Sequence, residues 1–432
     1  MMNRTIALIF AVCCSPALAQ QYVFFRVEGQ PAVPGDPGVQ STGALSQPAV
    51  SADGSTVVFR ASGNLTGGAS GVQVLAFALD SGDITVASVA PNGQPSAGSS
   101  TNDRPAVSAN GRHVAFETTS STYTGGAAGV HVVRVDRQTQ AFNLVNLTAA
   151  GVLPTGTLSR LGGISADGRF VVFTSNAGNL VPGAPANNTS SVFVRDLENS
   201  TTDRVDVSSS GIGGNGGSFG ETPTISADGR WVAFASTATN LVPGSFSGSQ
   251  RIYLRDRATS TTSRVSIGPG GTDLSGAGNA AISPNGSHIV FRSNSAAGSA
   301  TQLWARNLAN AEATGVPAAP GMGLCDTARI ADTGILISQC RNANSVLPRQ
   351  AFAWSLGNPG FAPGLISGTD PANTIPGNGN SGDNVTISAD NHIFAFDSVA
   401  SNLVPIDTNG VSDIFIYAAL PADDTLFADG FE

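Results

Sequence analysis

One phrase recurs along this chain, and its recurrence restricts the fold more than any other feature. Residues 48–59 read PAVSADGSTVVF, residues 105–116 read PAVSANGRHVAF and residues 223–234 read PTISADGRWVAF. Variants run from Ile164 to Phe173, from Ile282 to Phe291 and from Ile387 to Phe396. Aligned on one position, the copies fall at Ser51, Ser108, Ser165, Ser226, Ser283 and Ser388, with a degenerate copy at Ala331, so the steps are 57, 57, 61, 57, 48 and 57. A period of this kind marks a repeat architecture, in which length counts copies within one body rather than separate domains.

Each phrase is two short apolar strands joined by Asp-Gly or Asn-Gly, the pair that supplies the positive φ of a tight hairpin. A polar loop follows, often Asn-Leu-Val-Pro as at Asn179 to Pro182, Asn240 to Pro243 and Asn402 to Pro405. Next comes an alternating strand such as Ser191 to Arg195, and then a fourth, as in Asp203 to Val207 or Ser263 to Ile267. Four antiparallel strands per copy define a propeller blade, whose apolar faces only its neighbours can cover. The expected fold is all-β, a single seven-bladed β-propeller, with six or eight blades as the adjacent counts and an open solenoid as the alternative. The last copy reaches a third strand, Asp413 to Tyr417, and stops short of a fourth, whereas Tyr22 to Val27 precedes the first phrase as fourth strands precede the others. The N-terminal strand is thus predicted to complete the last blade and remove two open edges.

Composition agrees with this reading. With 52 Gly, 41% hydrophobic and 12% charged residues, the chain suits short strands and turns and suits long helices badly. The basic residues are all Arg, and a net charge of -9 provides no attraction for nucleic acid or anionic lipid. Residues 1–19 run from Arg4 through an apolar stretch, Ile6 to Val12, to Ala17, Leu18 and Ala19, the order of a secretory signal. The expected organisation is a signal peptide at 1–19, a propeller at 20–420 and a C-terminal tail at 421–432. The chain is expected to be exported to the periplasm, cell surface or extracellular space as a monomer, without membrane insertion after cleavage. Cys13 and Cys14 leave with the signal. Cys325 and Cys340 lie symmetrically about Asp332 and Thr333, the tip of a hairpin, so they would face each other across adjacent strands as a disulfide; two free buried thiols are the alternative.

The Ser-Ala-Asp-Gly-Arg phrase with its trailing Val-Ala-Phe resembles the repeat of TolB-like, WD-repeat-like bacterial β-propellers over nearly all of the chain after residue 19. The Asn-Leu-Val-Pro and Val-Arg-Asp segments resemble those of a subset found in bacterial secreted and surface proteins. The resemblance implies a fold and an exported setting, and hardly a function.

Because the strands alternate in direction, loops after first and third strands open on one face and loops after second and fourth strands on the other. The first face carries tight turns such as Ala227 to Arg230, whereas the second gathers long loops, including Ser208 to Glu221 and Ala177 to Ser190. Binding is expected on the second face or in the channel mouth. Histidines are His113, His131, His288 and His392; His113, His288 and His392 fall just after the hairpin turn and read as residues of one repeat position. Gly216 to Gly220 matches a nucleophile elbow but lies in an interblade loop, where that motif has no strand-to-helix turn to serve it. Asp407, Asn409 and Asp413 cluster oxygen ligands of the kind Ca²⁺ accepts, without the EF-hand spacing; a polar turn entering a strand is the alternative. No catalytic or cofactor-binding residue is assigned. The functional reading is an exported binding module for protein, peptide or glycan, acting through the long-loop face. The alternatives are a hydrolase or lyase acting on an extracellular polymer with carboxylates in the channel, and a purely structural surface repeat.

Overall fold

The computed structural model describes residues 22–28 and 40–419 apart from 63–64, 66–70, 91–92, 94–103, 156–157, 185–188, 219–221, 245–247, 295–300, 343–346, 358–362, 371–372 and 406. The expected signal peptide and C-terminal tail lie outside the described residues. Within them the chain forms seven four-stranded antiparallel sheets. Blade 4 shows the pattern, with strands Thr224–Ile225, Trp231–Ser236, Arg251–Asp256 and Thr261–Arg264 running outward in chain order. Blade 7 takes its first three strands from Ser381–Ile387, Ile393–Ser398 and Asp413–Ala419, and its fourth from Tyr22–Arg26. Phe24 lies opposite Tyr417 and Arg26 opposite Phe415 in this antiparallel pair. The seven-bladed ring closed by the N-terminal strand is therefore the observed architecture. No helix among the described residues is long and apolar enough to cross a membrane.

The hydrophobic core is divided into seven clusters, one in each interface between consecutive blades. Strand alternation makes the division: in Ser191–Asp196, Val192 and Val194 pack toward blade 4 while Phe193 between them packs toward blade 2. The cluster between blades 7 and 1 joins Ile393, Ala395, Ile414 and Ile416 to Leu45, Val57 and Phe59. The N-terminal strand contributes to two interfaces, since Phe25 and Val27 enter that cluster and Phe24 enters the one between blades 6 and 7, stacked on Phe415 and tilted against Tyr417. Each such buried side chain stabilises by about 1.5–3 kcal/mol, so no blade can shed a neighbour cheaply.

Each residue of the repeated phrase has a physical task. In blade 4 the Ser226 hydroxyl donates to Asp228 (2.5 Å) and accepts from the Trp231 backbone N–H (2.9 Å), which clamps the hairpin; the same pair of bonds recurs at Ser51, Ser108, Ser165, Ser283 and Ser388. The small residue after it allows the turns to touch, and backbone hydrogen bonds run from blade to blade: Ala109 N–H to Ala166 O (3.0 Å), Ala166 to Ala227 (2.8 Å), Ala227 to Pro284 (2.7 Å), Asp332 to Ala389 (2.9 Å) and Ala389 to Ala52 (3.0 Å). Asp53 N–H donates to Ala109 O across the remaining blade 1–2 interface. Pro284 has no N–H, and there Asn285 N–H donates to the Asp332 carboxylate instead (2.8 Å). The turn glycine is required twice over. Gly229 has φ +72°, and a Cβ there would stand 2.3 Å from Phe170 of the preceding blade. The arginine reaches the last residue of the third strand: Arg112, Arg169 and Arg230 pair with Asp136, Asp196 and Asp256, which accounts for the Val-Arg-Asp segments.

Blade 6 departs from this plan. Ala331 has no hydroxyl to clamp the hairpin, and its N–H meets Ile335 O four residues on, whereas Ser226 N–H meets Trp231 O five residues on. The turn is one residue shorter, and the arginine position is lost with it. At the other end of the hairpin Cys325 pairs directly with Cys340 across the two strands, with Cα atoms 4.0 Å apart, and the disulfide is formed. It ties the strands where the phrase does not.

Candidate functional site

Three places could carry function: the short-turn face, the long-loop face and the channel. On the short-turn face stand His113, His288 and His392. His113 and His288 open their second strands, and each backbone N–H is held by the repeat serine; the His113 ring lies against the turn of Gly168 in the next blade. Burial lowers the affinity of both imidazoles for a proton. His392 does not share their position. It stands one residue earlier, where other blades carry arginine, and is exposed beside Asp390 (3.0 Å). His131 is buried at the start of a third strand, with its ring nitrogens near Ala128 O (3.3 Å) and the Asn146 amide (3.1 Å). A cleft of about 350 Å³ between blades 4 and 5 is lined by Trp231, Val265, Arg306 and Leu308, without a converging set of titratable groups.

The long-loop face is built on the Asn-Leu-Val-Pro segments. Asn179, Asn240 and Asn402 accept hydrogen bonds from backbone N–H groups of Thr155, Asn215 and Asn378, each in the preceding interblade loop, while Leu180, Leu241 and Leu403 are buried beneath. These motifs staple loops together. Ser218 of the elbow-like sequence is buried in such an interblade loop, its N–H donating to Ser190 O. Every exposed large hydrophobic residue among those described lies on this face. Val152, Ile212 and Ile375 sit on loops after fourth strands, and Leu347 and Val399 on loops after second strands, each 52 to 61% exposed.

The three calcium candidates do come together, but around an arginine. Arg26 Nη1 lies 3.3 Å from Asp407 and 3.7 Å from Asp413, and Arg26 also pairs with Glu28. Asn409 turns its amide nitrogen, a donor, to both Asp413 oxygens (3.1 Å). Burial pushes the Asp413 carboxyl up to about 6, opposed by the Arg26 charge. Asp413 begins a third strand, the place held by Gln73, His131, Ser191, Arg251 and Gln350 in other blades. The cluster is blade 7's version of a recurring polar anchor, with a guanidinium supplying the positive charge.

The channel is edged by the seven inner strands. Two residues before the repeat serine, six blades carry Ala49, Ala106, Gly163, Thr224, Ala281 and Thr386; blade 6 carries Arg329. Four residues before the serine, blade 2 carries Arg104, whose Nη2 donates to Asn384 Oδ1 of blade 7 (3.4 Å). Blade 1 separates those blades along the ring, so this side chain reaches across the channel. Arg104 Nε and Nη1 are buried with no hydrogen-bond partner among the described residues. Burial brings the Arg104 guanidinium down to about 10, opposed by the Asp397 charge. Burial and then the charge of Arg104 bring Arg329 well below the ordinary arginine value. Asp397 accepts from Asn384 N (2.8 Å), Asn384 Nδ2 (2.8 Å) and Gln47 N (3.2 Å), and burial holds its carboxyl above the usual range. Glu117 plays the same part in blade 2, accepting from Leu161 N (2.8 Å). Both carboxylates are engaged by the backbone of the next blade. Sequence reading missed the two channel arginines; the signal that could have found Arg329 is its place in an aligned column of small residues.

The class that this fold defines is the seven-bladed β-propeller, and comparison with solved structures agrees. The β-propeller domain of the Trilobed protease from Pyrococcus furiosus superposes with TM-score 0.53 at 12% identity, covering 91% of this chain and 100% of that one. An oligogalacturonate lyase from Vibrio parahaemolyticus gives 0.52 at 13%, covering 92% and 94%. An acylaminoacyl peptidase from Pyrococcus horikoshii gives 0.51 at 10%, covering 90% of this chain and 54% of that enzyme, so the chain spans about half its length. No protein-family model and no curated protein matches the sequence. At these identities the likeness establishes the fold alone, and the likeness of the phrase to TolB-like propellers stands at that level too.

Proposed function

We propose that this chain is an exported binding module that engages a protein, peptide or glycan through its long-loop face. One observation carries the reading: the exposed large hydrophobics, Val152, Ile212, Leu347, Ile375 and Val399, all lie on that face. Single exposed apolar residues are ordinary, but their confinement to one side of a molecule is what a contact surface produces. The stapled loops supply a preorganised scaffold beneath them, which limits the ordering entropy that binding must overcome. The disulfide fits an oxidising compartment, in keeping with the signal-like residues 1–19.

An enzyme of the hydrolase or lyase type would need two free acid groups in the channel, and Asp397 and Glu117 are instead occupied by backbone donors. The test is thermal unfolding of residues 20–432 against panels of peptides, glycans and Ca²⁺, since a ligand of the folded state raises its stability. A saturable rise with a peptide or glycan, lost in Ile212→Asp with Val399→Asp while the unliganded melting temperature stays unchanged, is the expected result. No rise with any panel member, or a rise that survives both substitutions, would overturn the reading.

A further inference from the structure

Arg104 and Arg329 come from blades 2 and 6, which are not neighbours, and their guanidinium charges bear on one another in the channel. Neither forms an ion pair within 4.0 Å among the described residues. Arg329 donates through Nη1 to its neighbour's carbonyl, Ala328 O (2.8 Å), and Arg104 through Nη2 to Asn384 (3.4 Å). Arg104 keeps two buried donors, Nε and Nη1, without a partner among the described residues. The nearby carboxylate, Asp397, already accepts three N–H bonds.

Two like charges gathered in a poorly solvated space destabilise the native state unless something of opposite sign joins them. A structural arginine pair would be expected to sit against carboxylates, as Arg112, Arg169 and Arg230 do on the short-turn face. In the channel no carboxylate lies within 4.0 Å of either guanidinium among the described residues. The matching positions of the other six blades, Ala49, Ala106, Gly163, Thr224, Ala281 and Thr386, are uncharged and pack against neighbouring blades, which leaves Arg329 the one charge of that column. Guanidinium forks match planar carboxylates and phosphates in geometry as well as charge. We infer that the propeller channel is an oxyanion site, in which Arg104 and Arg329 clasp a carboxylate, phosphate or sulfate group from opposite sides, with the Asn384 amide at the margin. The site is separate from the long-loop contacts and stands whether or not those bind a partner.

Isothermal titration calorimetry of residues 20–432 tests it, using sodium phosphate, sodium sulfate and sodium citrate, each against sodium chloride of equal ionic strength. Expected is saturable one-site binding of at least one of the three, with citrate separating a carboxylate preference from a phosphate or sulfate one. The dissociation constant rises roughly tenfold or more in Arg104→Met and in Arg329→Met, and does not change in Arg230→Met, which removes the same charge far from the channel. Arg104→Lys keeps the charge without the fork and gives intermediate weakening, so the reading stays testable should a Met variant fail to fold. Absence of saturable binding in the parent chain, or equal affinity in the channel variants and Arg230→Met, would overturn the site.

Discussion

The arginine of the repeated phrase shows how one side chain fixes a local geometry and its pH response. Arg230 meets Asp256 through Nε (2.9 Å) and Nη2 (2.7 Å) and stacks over Trp231, 4.6 Å from the ring centroid. Hydrogen bonds from Arg112, Arg169 and Arg230 hold the carboxyls of Asp136, Asp196 and Asp256 well below the usual carboxylate range. In the unfolded chain the same groups titrate at about 3.9. The native state therefore binds fewer protons near that pH, and the contribution is present above the unfolded value and lost as pH falls through and below it. Urea denaturation should show Arg230→Met less stable than the parent at pH 6, with the gap narrowing as pH is lowered toward 3; a gap independent of pH would contradict the assignment. The turn glycine was legible in sequence because its positive φ is a requirement of the hairpin itself. The serine and arginine showed only as recurring letters, since their partners, Asp228 and Asp256 among them, are fixed by the folded strands. Arg104 and Arg329 were not legible, because what brings them together is the circumference of the ring, which no local pattern encodes. The calcium candidates were legible as a cluster, but Arg26 comes from the opposite end of the chain, so its part in neutralising Asp407 and Asp413 was not.

At the scale of the element, the hairpin turn is a joint between blades as much as a reversal within one. In five blades the residue that opens the second strand packs on the turn glycine of the next blade: Thr56 on Gly111, His113 on Gly168, Phe170 on Gly229, Trp231 on Gly286, and Ile393 on Gly54 at the closure. Gly82, in the turn before an outer strand, has φ +68° and nothing within 4 Å of a Cβ. Gly82→Ala meets only the left-handed backbone cost, about 1–2 kcal/mol, whereas Gly229→Ala adds a clash with Phe170 and should cost about 1–3 kcal/mol more by chemical denaturation. Equal losses would show that the turns do not bear on one another. Blade 6 lacks the serine clamp and the arginine pair, and its disulfide closes a loop of sequence separation 15, worth about 3 kcal/mol on the chain-entropy account. Replacing Cys325 and Cys340 by Ser should lower stability by that order, and an unchanged denaturation midpoint would remove the disulfide from the account of blade 6.

For the whole molecule, the decisive fact is that its core is seven separate interfaces on a ring, two of which depend on residues near the N-terminus. Periodicity made the blade visible in sequence, and counting copies made the ring visible, because each copy presents two apolar faces that only other copies can cover. The binding face followed from loop lengths, but its apolar residues are scattered among glycine and serine and emerge only when the loops are placed side by side. Closure through Phe24, Phe25 and Val27 is the claim on which the channel and the long-loop face both rest, since an open ring would hold neither in register. The measurement that reaches it most directly is calorimetric unfolding of residues 20–432 beside a chain shortened to begin at residue 29. A destabilisation of about 5 kcal/mol or more is expected from the lost burial of these three side chains, seen as a markedly lower unfolding temperature for the shortened chain. An unchanged transition would mean that the ring does not depend on the N-terminal strand, and would contradict the closure.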